Sequence, residues 1–426
     1  MAFGLQIWLA FTIVMLIMFS SLAEGEPQVP CYFIFGDSLV DNGNNNNLST
    51  KAKANYPPYG IDFPDGPTGR FTNGRNIADF LVELLGFTNA RPPFAAAPTT
   101  SEEEIMKGVN YASGAGGVLE RTGKYLGDRH SFERQLRFHN ATVSRIGHHV
   151  QNLSLARTHL RKCLYSVGLG SNDYLHEFLG AAKFPAIRQP LYTPQRFASI
   201  LIKQYAKHLR TLYGLGARKV AVFGIGKLGC IPGMIKHDEN GSSISCADSV
   251  NDAVEKFDNK LKILIHKLNR NLSGAKFIFL NMTSISHQDL PALGISIVDK
   301  PCCKVSTTVV LKGQCEPNVE PCSNRGAYMF WDNYHPSQIS SMAIARRSYT
   351  SSLVTDAYPM DIRSLIQLNH AYFKVLQLQK HLHFSKYITE NGKKFEEGKS
   401  DLPDSNQRPK DRLQAFVPTT VLRSTN

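Results

Sequence analysis

The chain alternates short apolar runs of strand length with longer stretches in which apolar residues recur at helical spacing. The apolar runs cover residues 32–35, 109–112, 164–169, 219–223 and 276–280, and helical patterns cover residues 76–85, 132–148, 194–215 and 249–272. Strands separated by helices predict parallel pairing, because a parallel connection needs a long crossover. The alternation therefore predicts a three-layer α/β/α protein, in which a five-stranded parallel sheet lies between two layers of helices.

The first apolar run, residues 32–35, is followed directly by Gly36, Asp37 and Ser38, within the segment FGDSLVDNGNN. Ligands of doubly wound sheets bind beyond the carboxyl ends of the strands, so Ser38 is predicted at a reactive edge. If Ser38 begins a helical turn, its own N–H is one of the unpaired amides of that turn. A hydroxyl there can attack an ester while the amide stabilises the oxyanion. The alternative is an ordinary helix cap.

A second segment, FWDNYHP, lies near the other end of the chain and precedes a helical stretch. Asp332 stands three residues before His335 in this segment. Within one turn, such a carboxylate can accept a hydrogen bond from the near ring nitrogen while the far nitrogen faces outward. The pair predicts a general base and its orienting acid, and a structural hydrogen bond is the alternative.

Two further segments at predicted strand ends contain candidate donors for an oxyanion. The glycines of NYASGAGG, residues 110–117, can expose backbone N–H groups, and GLGSND, residues 168–173, carries a side-chain amide. Glycine and asparagine are also common turn residues, so each segment has a purely structural alternative.

These four blocks, taken in order, resemble the plant-type GDSL esterases/lipases of the SGNH hydrolase superfamily. The resemblance spans residues 30–368 and implies a flavodoxin-like sheet, with hydrolysis of carboxylic (acyl) esters through an acyl-enzyme. Carried over by position, it implies Ser38 as nucleophile and Asp332 with His335 as the acid and base. It also implies an oxyanion hole built from the Ser38 amide, the Gly114 amide and the Asn172 side chain.

Neither a metal nor a cofactor is expected. The cysteine and histidine spacing is poor for zinc. The segment GIGKLG, residues 224–229, satisfies a dinucleotide fingerprint, but that fingerprint requires a helix to begin there. Pro232 and Gly233 would fall inside its first turns, which argues against the helix.

Residues 1–23 predict a signal peptide, because an apolar run is followed by the small-residue pattern Ser21-Leu22-Ala23. The run, residues 5–19, would span about 22 Å as a helix, short of the roughly 30 Å hydrocarbon core. We therefore expect a secreted, extracellular protein without an integral membrane segment after cleavage. A membrane anchor is the alternative.

Export changes the interpretation of the cysteines, since disulfides form in oxidising compartments. Four of the eight cysteines fall within residues 302–322, and Cys230 and Cys246 bracket one loop, so disulfides that staple loops are predicted with open connectivity. Six Asn-x-Ser/Thr sites are compatible with glycosylation: Asn47, Asn140, Asn152, Asn240, Asn271 and Asn281.

The formal net charge is +13, with the basic residues dispersed along the chain. No basic stripe with interleaved aromatic residues suggests nucleic-acid binding, whereas a cell-wall polymer or another anionic surface fits such a charge. Residues 369–426 are basic, and the polar stretch within them predicts a disordered extension.

The prediction for function is thus a secreted serine esterase/lipase that acts on a small-molecule or lipid ester. Two alternatives remain open at this level. An extracellular acyltransferase would use the same serine and pass the acyl group to an alcohol. A secreted binding protein would keep the fold without turnover.

Overall fold

The computed structural model describes residues 26–180, 192–237, 243–286, 290–308 and 312–368. The predicted signal peptide, residues 1–23, and the predicted extension, residues 369–426, lie outside the described residues. The strands are β1 (Tyr32–Gly36), β2 (Leu164–Gly168), β3 (Lys219–Phe223), β4 (Lys236–His237), β5 (Ser243–Ser245), β6 (Lys276–Leu280), β7 (Ile297–Pro301), β8 (Tyr328–Phe330) and β9 (Ala357–Tyr358).

A five-stranded sheet in the order β1-β2-β3-β6-β9 forms the centre of this part of the chain. Strands β1, β2, β3 and β6 pair in parallel, which confirms four of the predicted strands. The fifth strand differs from the prediction, because β9 pairs antiparallel to β6 at the sheet edge. A two-residue edge strand of this kind gives little sequence signal. The sheet is therefore mixed and mostly parallel, and the α/β class is confirmed.

The remaining predicted strand, residues 109–112, is not a regular strand. It lies along the outer edge of β1, with one parallel bridge between Ile34 and Asn110. The Ile34 amide donates to Val109 O, and the Tyr111 amide donates to Ile34 O, as in a parallel ladder. Its other edge bonds to Pro92 and Phe94 instead of a strand, which ends the sheet there.

This extended segment gives the sheet the flavodoxin-like order that the resemblance implied. Counted with it, the parallel part reads second, first, third, fourth and fifth along the chain. The chain leaves β1 toward one neighbour and returns to pair with β2 on the other side. The carboxyl end of β1 is therefore the topological switch point, where ligands bind in open α/β sheets.

The helices cover both faces of the sheet. They are α1 (Ile77–Leu84), α2 (Glu102–Met106), α3 (Phe132–His149), α4 (Leu153–Lys162), α5 (Pro194–Gly214), α6 (Asp248–Asn271), α7 (Met282–Ile285) and α8 (Gln338–Tyr349), and residues 362–368 are also helical. The four predicted helices correspond to α1, α3, α5 and α6 within one residue at each end. Helix α4, whose sequence shows only two buried apolar positions, was not predicted.

Alternation along the strands assigns side chains to two cores. Phe33 and Phe35 point into the core beneath α3, α4, α5 and α6. Tyr32 and Ile34 point to the opposite core, which includes residues of α1, α7 and α8. Both faces of β1 are buried because the sheet lies between two helical layers. The three-layer prediction is confirmed.

Local chemistry fixes where α1 begins. Asn76 caps the helix by accepting from the amides of Ala78 and Asp79, while Asp79 accepts in return from the Asn76 amide. The same Asp79 carboxylate binds the buried Arg70 guanidinium at 2.7 and 2.8 Å. A capping box of this kind contributes about 1 kcal/mol. It sets the position of Ile77, which lines the cavity beside Ser38 described below.

Four disulfides join Cys31 to Cys163, Cys230 to Cys246, Cys302 to Cys322 and Cys303 to Cys315. The last three staple loops, as the cysteine spacing predicts. The first was not predicted, and it ties the residue before β1 to the residue after α4. In GIGKLG, residues 228–230 form a short 3₁₀ turn, and the helix that the dinucleotide fingerprint requires does not begin there. Among the described residues, no helix combines the length and apolar character needed to cross a membrane.

Candidate active site

The turn after β1 presents Ser38 at the carboxyl edge of the sheet. The Val40 and Asp41 amides donate back to Asp37 O, so residues 37–41 make a single turn and no helix continues from it. Gln135 on α3 binds Gly36, which ends β1. Its side chain accepts from the Gly36 amide and donates to Gly36 O. A β-carbon on Gly36 would lie 2.4 Å from a Val40 methyl group, so glycine is required for this tight exit.

The asparagine-rich loop after Ser38 ties this turn to the neighbouring extended segment. Asn44 donates to the carbonyls of Asn110 and Ala112, and Asn45 donates to Gly114 O. Asn44 and Asn45 are buried, so each bond also satisfies a polar group that would otherwise destabilise the fold. The loop therefore fixes the distance between Ser38 and residues 110–114.

Ser38, His335 and Asp332 are joined by hydrogen bonds, and these three residues are called the relay below. The Ser38 hydroxyl lies 2.8 Å from His335 Nε2, and His335 Nδ1 lies 2.8 and 2.9 Å from the two oxygens of Asp332. A carboxylate can only accept, so Nδ1 carries the proton and Nε2 accepts from the serine hydroxyl. Ser38 thus meets a histidine and an aspartate that lie nearly 300 positions away in the sequence, in the geometry of a serine, histidine and aspartate triad.

Asp332 is fully buried and surrounded by donors. Its oxygens accept from the amides of Tyr334 and His335 at 2.8 and 2.9 Å, and from the Tyr59 hydroxyl at 2.6 Å. Two backbone bonds from the disulfide-stapled loop, Cys302 to Phe330 and Cys303 to Trp331, hold the strand that leads into this turn. The carboxylate is therefore held in one orientation toward the imidazole.

Asn172 reaches the same edge from the end of β2. It lines the cavity beside Ser38, and its amide nitrogen donates one hydrogen to Gly116 O at 2.9 Å. That bond fixes the plane of the side-chain amide and leaves the second hydrogen for another acceptor. A π-helix, Asp173–Phe178, begins at the next residue, and π-helices are frequent at functional sites.

The structure disagrees with the sequence prediction for Gly114. The Gly114 amide donates to the buried Asp41 carboxylate at 2.9 Å, so it is not free to bind an oxyanion. Its neighbour Ala115 lines the cavity and has a left-handed backbone, with φ of 63°. Within the described residues, neither the Ala115 amide nor the Ser38 amide has a hydrogen-bond partner. A non-glycine residue in this conformation costs about 1–3 kcal/mol and is typical of functional sites.

A cavity of about 450 Å³ opens beside this relay. Ser38, Asn172 and His335 contribute polar groups to its wall, whereas most of the lining is apolar. The apolar lining includes Leu39, Ile77, Leu228, Ile231, Met282 and Ile344. Ligand pockets commonly have this size and this combination of apolar walls with few polar groups. The cavity suits a substrate with a hydrocarbon portion next to a polar reacting group.

Burial also affects three carboxyl groups around the site. It raises the pKa of Asp37, Asp41 and Asp173 to about 6 each, because water is excluded from the charged form. Asp37 accepts from the Leu39 amide, and Asp173 accepts from the amides of Val118 and Leu119. These bonds shape the turn that holds Ser38 and the loop behind Asn172.

The sequence motifs missed the residues that hold the site together. Gln135, Asp41 and Tyr59 each contact a residue of the relay or of its supporting turns, and each is buried. Asp41 lies inside the FGDSLVDNGNN block, and its acidic side chain there is the one sequence signal that could have indicated a supporting role. Gln135 and Tyr59 lie outside every motif, and no pattern in the chain distinguishes them.

A mostly parallel sheet with a serine, a histidine and an aspartate joined at the end of its first strand is the architecture of a serine hydrolase. A family model described as "GDSL-like Lipase/Acylhydrolase" matches residues 32–347 of this chain. The chain therefore belongs to the GDSL-like lipase/acylhydrolase family and is a carboxylic ester hydrolase.

Individual relatives agree with this family. One GDSL esterase/lipase of Arabidopsis thaliana is 45% identical over 352 residues, covering 81% of this chain and 94% of the relative. Another from the same plant is 42% identical over 357 residues, covering 82% and 96%. A crystal structure of the lipase Lip_vut3 from a goat rumen metagenome aligns over 74% of this chain and 94% of that one, at 9% identity. Its TM-score of 0.33 is too low to support an argument.

Proposed function

We propose that this protein is a secreted serine esterase/lipase that hydrolyses carboxylic (acyl) esters through an acyl-enzyme on Ser38. The observation that carries the proposal is the continuous relay, with 2.8 Å from Ser38 Oγ to His335 Nε2 and 2.8 Å from His335 Nδ1 to Asp332. Asp332 keeps the imidazole in the tautomer that can accept the serine proton.

The first half of the reaction forms the acyl-enzyme. His335 takes the hydroxyl proton as Ser38 Oγ attacks the carbonyl carbon of the ester, which becomes tetrahedral. His335 then gives this proton to the alcohol oxygen as the bond between that oxygen and the acyl carbon breaks. The alcohol leaves, and the acyl group stays as an ester of Ser38.

The second half releases the acid. Water attacks the acyl carbon while His335 takes one of its protons, and collapse of the second tetrahedral species returns that proton to Ser38 Oγ. The carboxylic acid leaves and the enzyme is restored. The apolar cavity beside Ser38 supports an ester whose acyl or alcohol portion is a hydrocarbon.

Three donors fit the developing oxyanion. They are the amides of Ser38 and Ala115, which have no partner within the described residues, and the free hydrogen of the Asn172 side chain. Ala115 takes the place that the resemblance assigned to Gly114, because Asp41 already occupies the Gly114 amide. Donors fixed before the reaction stabilise the tetrahedral charge without rearrangement.

We expect Asn172→Ala to lower kcat by about 10²–10³, because one oxyanion donor is lost while the substrate cavity is retained. Steady-state kinetics on p-nitrophenyl butyrate would measure kcat and KM separately. Asn89→Ala, at an exposed position away from the cavity, is the matched control and should match wild type. Wild-type kcat in a folded Asn172→Ala protein would contradict the role of this amide.

Secretion is supported by the signal-like residues 1–23 and by four disulfides among the eight cysteines. Oxidised cysteines of this kind are typical of exported proteins. The net charge of +13 also supports association with an anionic surface such as a cell-wall polymer.

One experiment tests the reaction and the export together. The full chain is expressed in a secretory host, recovered from the medium, mixed with p-nitrophenyl butyrate and quenched in acid. Mass spectrometry after reduction and deglycosylation should show a chain that begins after Ala23 and carries one butyryl group on the peptide containing Ser38. Turnover without this adduct in a rapid quench would contradict the acyl-enzyme, and an uncut chain would contradict the signal peptide.

The same reaction run with glycerol separates hydrolysis from acyl transfer. We expect butyrate in an amount equal to the p-nitrophenol released. Glycerol butyrate as the main product would replace hydrolysis with transfer from the same acyl-Ser38 intermediate.

A further inference from the structure

We propose that Tyr59 is a positioning residue of the relay, which holds the Asp332 carboxylate against His335 and is itself held by the loop closed by Cys303 and Cys315. The proposal rests on the proposed function, since it assigns a role within that relay. Tyr59 lies outside the four blocks on which the family resemblance depends.

The contact is direct and fully buried. The Tyr59 hydroxyl donates to Asp332 Oδ2 at 2.6 Å, and both side chains have no exposed surface. The two backbone amides that bind Asp332 converge on Oδ1, whereas Tyr59 binds Oδ2. Donors on both oxygens oppose rotation of the carboxylate, so both oxygens keep their positions next to His335 Nδ1.

The hydroxyl has a second bond that fixes its direction. The Cys315 amide donates to the Tyr59 oxygen at 3.2 Å, and Cys315 is bonded covalently to Cys303. Because the oxygen accepts from Cys315, its own hydrogen is directed to Asp332. A disulfide loop, a tyrosine, the acid, the base and the serine therefore form one continuous chain of contacts.

The surroundings keep the phenol protonated and in place. Burial and the nearby Asp332 charge raise the pKa of Tyr59 well above its ordinary value of 10.0, so it remains a donor throughout the working pH range. Its ring packs edge to face against Tyr56 and Phe71, and the Phe71 ring centroid in turn lies 4.9 Å from that of His335. Tyr59 does not line the cavity, so it has no contact with substrate there.

Tyr59→Phe removes the hydroxyl and keeps the ring. We expect kcat to fall about tenfold or more, since a hydrogen bond to the charged Asp332 carboxylate is lost. KM for p-nitrophenyl butyrate should stay unchanged. With one donor lost, Asp332 attracts the imidazolium more strongly, so the acid limb of kcat/KM should move to higher pH.

Tyr56→Phe is the matched control. Tyr56 donates to the carbonyl of Cys315 at 3.1 Å, and its ring packs edge to face on the ring of Tyr59. Tyr56 has no hydrogen bond to Asp332. It reports the cost of loosening this loop alone. We expect its kcat and its acid limb to match wild type, even if its thermal unfolding midpoint falls as much as that of Tyr59→Phe.

A second substitution keeps the test decisive if Tyr59→Phe does not fold. A fluorotyrosine incorporated at position 59 retains the size and the hydroxyl but is a stronger donor, so it should move the acid limb to lower pH. Wild-type kcat and an unmoved limb in both proteins would overturn the proposal and leave Tyr59 as a packing residue. If turnover of the wild-type protein did not depend on Ser38, the proposed function itself would instead be overturned.

Discussion

Ser38→Ala is expected to lower kcat for p-nitrophenyl butyrate on the order of 10⁶-fold, the largest effect that we predict. Alanine has no oxygen to attack the ester, and His335 Nε2 loses the hydroxyl that lies 2.8 Å away. Ser38 is half-buried and His335 is the one hydrogen-bond partner of its hydroxyl within the described residues, so the fold should be retained. Kinetics together with labelling by a fluorophosphonate probe measure the effect.

Ser144→Ala provides the control for this prediction. Ser144 lies on α3, and its hydroxyl donates to the Asn140 carbonyl one turn earlier, away from the cavity. Its rate and labelling should equal those of wild type. If Ser38→Ala hydrolysed the ester at a comparable rate, another nucleophile would be responsible and the acyl-enzyme on Ser38 would be excluded.

Asp332→Asn is expected to lower kcat by about 10⁴, with KM little changed. An asparagine oxygen can still accept the backbone amides of Tyr334 and His335, so the turn should keep its shape. Its NH₂ group faces Nδ1 or Tyr59 with a donor where an acceptor is needed. The imidazole then favours the tautomer whose Nε2 is protonated, which cannot accept the serine proton.

The control for this charge change is Asp128→Asn. Asp128 pairs with Arg134 at 2.6 Å on a partly exposed surface, so its removal changes the net charge without contact with the relay. Kinetics of the two variants and their circular dichroism spectra separate catalysis from folding. An Asp332→Asn enzyme within tenfold of wild type would show that the carboxylate does not orient the base.

Local patterns predicted the regular part of the fold well. Helices α1, α3, α5 and α6 and the four parallel strands depend on periodicity and caps, which are properties of neighbouring residues. Helix α4 and strand β9 were missed because one is mostly exposed and the other is two residues long. Residues 109–112 resemble a strand because three of the four residues are apolar, yet only one edge of the segment meets another strand.

The candidate site divides in the same way. Ser38, Asp332, His335 and Asn172 all lie in sequence motifs. In the structure, Ser38, His335 and Asn172 line one cavity, and the buried Asp332 is hydrogen-bonded to His335. The Gly114 amide is not free as its motif predicts. A motif cannot show this, because the same residues occur whether the amide is free or bonded. Whether an amide is free depends on the partner that reaches it, here Asp41 from a loop more than 70 residues away.

Local sequence patterns predict most of the strands and long helices, disulfides that staple loops, and the side chains that we propose for acyl transfer. Long-range packing places the serine at a switch point and brings Tyr59 to Asp332 across 273 positions. It also binds the Gly114 amide to Asp41, whereas the Ala115 amide has no partner in the described part of the chain. Periodicity is a short-range property of the chain. Hydrogen bonds and burial depend on which distant groups meet when the sheet and its helices pack together.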